Sequence, residues 1–254
     1  MASAPHIQLA DVTMAFGSRP VFSGLSCAFP SSRISVILGG SGSGKSTILR
    51  LIGGLVRPRA GRIEVAGRDV TRLSERELYS VRETLGMLFQ GGALLDSMTV
   101  FDNLAFPLRE HTDLDEAAIA HEVHDRLDAV GLRGIDRLLP NQLSGGMVKR
   151  VALARAIIRR PTILLCDEPF SGLDPISSKR IEMLLRRINA QLGMTVVLVS
   201  HHIESTMRMA DHIVLLRSEG RLEGTPAELA ASGDPWVRAF LTEDVDEAML
   251  PEAG

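Results

Sequence analysis

Apolar positions are strand-like near the start of the chain and helix-like in its middle. Ile7, Leu9 and Val12 begin an extended stretch, residues 17–20 turn it and residues 21–30 return, so residues 6–30 predict paired strands. Residues 34–38 (Ile-Ser-Val-Ile-Leu) form a compact β-rich run that stops at Gly39. A glycine-rich loop follows, and residues 46–55 carry helical apolar spacing. Residues 62–66, closed by Gly67, predict a further short strand. From 91 to 158 the pattern changes. Residues 113–130 place Leu114, Ala118, Ile119, Val123, Leu127 and Val130 mostly on one helical face, and Ser144 opens a second helix containing Val148, Val151, Ala152 and Ala156. Beyond it, strands at 162–166, 194–199 and 212–216 alternate with helices at 177–191 and 204–210. Such alternation predicts an α/β fold with a mostly parallel sheet covered by helices. The helical middle reads as an insertion into that core. Residues 225–241 are helix-compatible, and 243–254 form an acidic tail with Glu243, Asp244, Asp246, Glu247 and Glu252.

The chain has 254 residues, 45% apolar and 23% charged, which is globular composition with ample length for a core. A net charge of −3 and 4% aromatics argue against a nucleic-acid surface built on phosphate contacts or base stacking. No apolar run is long enough to span a bilayer, and the first residues lack the pattern of a secretory signal. Cys27 and Cys166 are far apart in sequence, and the expectation is two reduced, buried thiols.

Chemistry concentrates in three places. Gly39-Gly40-Ser41-Gly42-Ser43-Gly44-Lys45-Ser46-Thr47 matches the phosphate-binding loop, in the strand–loop–helix context that the pattern requires. Glycines let backbone N–H groups approach phosphate oxygens, and the helix N-terminus adds partial positive charge. Lys45 can reach the β- and γ-phosphates and Ser46 can ligate Mg²⁺. The apolar run at 163–166 then delivers Asp167 and Glu168 to a strand end. Alternation along a strand separates their directions, so Asp167 can hold Mg²⁺ while Glu168 acts as a general base; alone, the pair could equally be two solvated carboxylates. Finally Leu143-Ser144-Gly145-Gly146-Met147 opens a helix with a good N-cap and a second set of exposed donors. One nucleotide needs one such helix start, unless two chains meet head to tail.

In this order and spacing, the three motifs resemble the nucleotide-binding subunits of ATP-binding cassette transporters over about residues 6–242. The resemblance implies a P-loop NTPase (RecA-like) core, an antiparallel β subdomain and an inserted α-helical subdomain at about 91–158, together forming one nucleotide-binding domain over 1–242. It implies ATP and Mg²⁺ as cofactors and two copies sharing each nucleotide, with Ser144, Gly145 and Gly146 of one chain facing residues 39–47 of the other. It also assigns Gln90 to Mg²⁺ and the transmembrane partner, Asp174 in Ser171-Gly172-Leu173-Asp174 to the dimer interface, His201 to the γ-phosphate and Phe16 to the adenine. Met147 stands where glutamine is commoner, and His202 where an acid is common.

Residues 87–103 and 106–112, with the methionine in the signature, resemble more narrowly the ATPase subunits of Mla/Mce-type lipid transport systems. That likeness implies an integral-membrane permease, an Mce-type lipid-binding protein and a small STAS-type regulator as partners. It implies a place on the cytoplasmic face of the inner membrane and a lipid cargo; an importer for an amino acid or a metal is the alternative. His121 and His124 have metal-compatible spacing without an evident third ligand, and read as a solvated helix face. Lys149, Arg150, Arg155, Arg159 and Arg160 scatter around their helix and read as a solvated, partly interfacial surface. The acidic tail reads either as a solubilising end or as an arm reaching the second ATPase.

Overall fold

The structure, a computed structural model, describes residues 5–217 and 220–242. Strands β1 (Pro5–Phe16) and β2 (Arg19–Pro30) pair antiparallel around the expected turn, with Leu9 opposite Cys27. β4 (Ala60–Val65) and β5 (Arg68–Asp69) complete a four-stranded sheet in the order β2-β1-β4-β5. β3 (Ile34–Gly39), β6 (Leu85–Leu88), β7 (Ile163–Asp167), β8 (Thr195–Val199), β9 (His212–Arg217) and β10 (Gly220–Gly224) build the second sheet, ordered β10-β9-β3-β8-β7-β6. Its strands are parallel except for the hairpin β9–β10. β3 and β8 are buried along their whole length, which explains their unbroken β-rich sequences. One core lies between the two sheets around helix α1 (Lys45–Ile52), and the other joins the parallel sheet to the later helices.

Register carries the functional consequence. Gly39 lies opposite Leu216 and Asp167 opposite Val199, so the phosphate-loop strand and the carboxylate strand end at the same sheet edge. Ligands of parallel sheets gather at such carboxyl edges.

Between neighbouring strands β6 and β7 the chain makes α3 (Val100–His111), α4 (Glu116–Ala129) and α5 (Gly145–Ile157). Helix α3 was hidden by Pro107; it is held by a Thr99 cap and by buried Val100, Asn103, Leu104, Ala105 and Leu108. Helix α2 (Glu75–Arg82) escapes the periodicity because only Leu78 and Val81 are buried, although Ser74 and Glu77 form a capping box. The helical stretch expected at 225–241 is corrected to two helices, α8 (Pro226–Ala230) and α9 (Pro235–Thr242). Asp234 breaks it by accepting the Trp236 N–H at 2.9 Å just ahead of Pro235. The acidic tail at 243–254 lies outside the described residues.

Helices α6 (Pro175–Leu192) and α7 (Ile203–Met209) are tied by a buried acid. Glu182 accepts from Lys179 at 2.7 Å and from Arg208 at 3.2 Å, its own side chain being 1% exposed. Burial pushes its pKa up, but the hydrogen bonds from the two cations prevail and hold the carboxyl below its ordinary value. A folded-state pKa below the unfolded one gives stability that is present above the unfolded value and lost as pH falls through the folded value. Glu182→Gln should therefore cost about 2 kcal/mol at pH 7. In thermal melts, the gap between wild type and variant should close on acidification.

Candidate nucleotide-binding site

β3 leads into a loop that needs glycine. Gly39 has φ +148° and a Cβ there would lie 2.7 Å from the Leu216 carbonyl oxygen; Gly44 has φ +89° and its Cβ would lie 2.6 Å from Val21. Gly44 is also the N-cap of α1, and no side chain caps the first turn, leaving its amides to an external acceptor. Gly40 and Ser41 are exposed, whereas Thr47 is buried. The Ser43 hydroxyl oxygen is buried without a hydrogen-bond partner, a polar atom facing a cradle made of backbone. Lys45 Nζ donates to the Gly39 and Gly40 carbonyls, each at 2.8 Å. Burial pulls the Lys45 pKa down, against the Glu168 and Asp167 carboxylates, which raise it.

The two carboxylates have separate partners. Ser46 Oγ donates to Asp167 Oδ1 at 2.8 Å. This hydroxyl and carboxylate are hard oxygen donors, which suit Mg²⁺. Glu168 leaves the strand with φ +48°, a left-handed conformation that a non-glycine residue adopts only when its surroundings enforce it. Its N–H donates to Val199 O at 3.1 Å, and its carbonyl accepts from Ser171 N at 3.2 Å. The side chain turns to His201, whose Nδ1 lies 2.8 Å from Oε2.

Lys45, Ser46, Asp167, Glu168 and His201 thus meet at one edge. Gln90 reaches this edge indirectly, its Nε2 donating to Ser171 Oγ at 3.4 Å. Phe16 stands apart at the end of β1, 47% exposed. Ser144 caps α5 by accepting the Met147 N–H at 3.3 Å, with Gly145 and Gly146 in the first turn. Among the described residues, no hydrogen bond links 144–146 to 39–47. Gly146 instead abuts Ser177, to which a Cβ would come within 3.1 Å. Asp174 caps α6, accepting from Ile176 N and Ser177 N at 2.9 Å; the hydroxyl and amide of Ser177 hold its carboxyl below the ordinary value.

Other expectations resolve locally. His121 lies 3.7 Å from Asp125 and His124 lies 2.8 Å from Asp136, so each imidazole faces a carboxylate on the protein surface. His202 sets its ring edge-on to Phe170 at 5.7 Å, a packing role for that departure. Both cysteines are free and buried. The solvated-surface reading of the basic residues on α5 is corrected. Arg155 is an internal strut to the Gly92 and Ala93 carbonyls, and Lys149 is 5% exposed. Periodicity missed Lys149 because a lysine scores as polar wherever its stem is buried.

The ABC transporter family matches residues 22–171. The chain is 44% identical to the intermembrane phospholipid transport system ATP-binding protein MlaF of Haemophilus influenzae, over 94% of this chain and 91% of that protein. It is 40% identical to the probable ribonucleotide transport ATP-binding protein mkl of Mycobacterium tuberculosis, over 97% of this chain and 72% of that protein. Among solved structures it is similar to the ATP-binding cassette MJ0796, a dimer in a post-hydrolysis state bound to ADP and Pi. That match has a TM-score of 0.79 and 29% identity, and covers 87% of this chain and 98% of the other. It is also similar to cbiO1 of Clostridium perfringens, part of the ABC transporter complex cbiONQ, with a TM-score of 0.82, 26% identity, and 93% and 95% covered.

The chain belongs to the ABC transporter family. It is an ATP-binding, ATP-hydrolysing subunit of that kind, with the α/β P-loop NTPase fold that the motifs imply. Among the described residues, no helix is long and apolar enough to cross a membrane.

Proposed function

We propose that two copies of this chain close head to tail around two ATP molecules and drive a membrane permease that moves phospholipid. One observation carries the shared site. Among the described residues, the glycine-bearing helix starts of α1 and α5 suit anions, and only that of α1 is gathered with Lys45, Asp167 and Glu168. In each site Gly39, Gly40, Ser41, Gly42, Ser43, Gly44, Lys45, Ser46 and Thr47 of one protomer form the loop around the phosphates, and Ser144, Gly145 and Gly146 of its partner close over them. Phe16 stacks on the adenine, and Asp174 orders the segment crossing the interface.

Ser46, Asp167 and Gln90 would hold Mg²⁺, which when bound neutralises charge on the phosphates. Glu168 accepts the proton of the attacking water; its place at the sheet edge beside Lys45 and His201 supports that role. His201, beside that carboxylate, donates to the γ-phosphate. ATP favours the closed pair because both protomers contact it, and loss of the γ-phosphate removes the bridge.

Residues 1–242 act as the nucleotide-binding unit, with 91–158 as the face turned to the permease on the cytoplasmic side of the inner membrane. An Mce-type lipid-binding protein and a STAS-type regulator complete the assembly. The phospholipid reading is supported by 44% identity across nearly the whole chain to relatives named for that transport.

Ser144→Arg tests the shared site by filling the cap with a bulky side chain. Steady-state ATPase activity should fall about 100-fold, while binding of a fluorescent ATP analogue to the monomer stays within about twofold. Wild-type turnover in that variant would refute the shared site. For the cargo, the ATPase is purified with its permease in vesicles holding labelled phospholipid; failure of ATP to move the label would refute the phospholipid reading.

A further inference from the structure

The inner side of α5 holds a buried cation that the mechanism above does not use. Lys149 sits just over one turn beyond the Ser144 cap, is 5% exposed, and sends its ammonium towards the parallel sheet. Nζ donates to the Gln90 carbonyl and lies 3.4 Å from the Glu168 carbonyl. Burial pulls its pKa below the ordinary lysine value, against the Glu168 and Asp167 carboxylates, which raise it. A buried ammonium with several donors persists where carbonyls and nearby acids replace its water.

The same Glu168 carbonyl accepts from Ser171 N, and the Glu168 N–H is held by Val199 O. The peptide groups on both sides of this residue are therefore tethered, and Lys149 supplies the only tether among the described residues that comes from α5. Left-handed backbone at a non-glycine residue is strained and needs such enforcement. We infer that Lys149 is a positioning residue: it fixes the backbone of Glu168 and of Gln90, and so transmits the position of the Ser144–Gly146 helix start to the chain's own catalytic carboxylate. This rests on the shared-site reading above. There the start of α5 touches the partner protomer's nucleotide while Glu168 serves its own. A single side chain would then make hydrolysis in one site responsive to closure over the other.

The test is steady-state ATPase kinetics of full-length Lys149→Met, which keeps the stem and removes every donor, beside Lys149→Arg, which restores a cation with donors. The expected result is a kcat about tenfold lower in Lys149→Met, with KM and ATP-analogue affinity within about twofold, and recovery of most of the kcat in Lys149→Arg. Loss of fold alone would lower the active fraction without this rescue. Where Lys149→Met does not accumulate as folded protein, Lys149→Gln serves, because its amide is too short to span both carbonyls. Its kcat should fall about threefold at unchanged KM. Wild-type kcat in a folded Met or Gln variant, or an equal loss in ATP affinity, would overturn the inference. Failure of the shared-site reading shows separately, as unimpaired turnover in Ser144→Arg.

Discussion

Glu168→Gln should retain ATP, lose turnover by at least about 100-fold and accumulate as a dimer when ATP is added, as read by steady-state phosphate release and size-exclusion chromatography. The amide keeps the shape of the side chain and cannot take a proton from water. The charge itself acts on Lys45, Lys149 and His201, and the amide leaves those groups in place. The left-handed turn is held by Val199 O, Ser171 N and Lys149 through the backbone, none of which the substitution touches. The variant should therefore fold as wild type, which makes its kinetics interpretable. Turnover near wild type would remove Glu168 from the base role and leave the shared site to be tested through Ser144.

Lys45→Ala should weaken ATP binding by about 100-fold, or about 2.7 kcal/mol, with a melting temperature close to wild type. The ammonium donates to the Gly39 and Gly40 carbonyls at 2.8 Å. Phosphate oxygens entering the loop offer it stronger, charged acceptors in place of these neutral ones. Burial lowers the Lys45 pKa, so the free site holds this cation at a desolvation cost that an anionic ligand offsets. Isothermal titration with ATP and with ADP separates the contributions. The loss should be larger for ATP, because the side chain reaches towards the terminal phosphate. Equal losses for both nucleotides would place the ammonium on the β-phosphate alone.

Much of the active edge was legible in the residues. The β3 run ending at glycine, the strand ending in Asp167 and Glu168, and the capped start at Ser144 each carry a local physical reason that survives without neighbours: apolar burial, steric need for glycine, side-chain capping. What stayed illegible depends on pairing. Helix α3 forms despite Pro107 because its apolar face is buried against the neighbouring helices, and β6 exists because β7 lies beside it. The break at Asp234 is a local signal that apolar spacing at 225–241 outweighed.

The sequence by itself determined the chemistry available: a glycine loop with a lysine, a hydroxyl, two carboxylates and a histidine, in an order that resembles one family. Only the tertiary structure decided how they are held. Parallel register sets the ends of β3 and β7 at one edge, a left-handed backbone turns Glu168 from Asp167 towards His201, and a lysine that looks solvated on a helical wheel is buried beneath the signature helix. The reason is range. Steric preference and capping act within a few residues, whereas desolvation and hydrogen-bond satisfaction of a buried group depend on segments that meet only when the sheet closes.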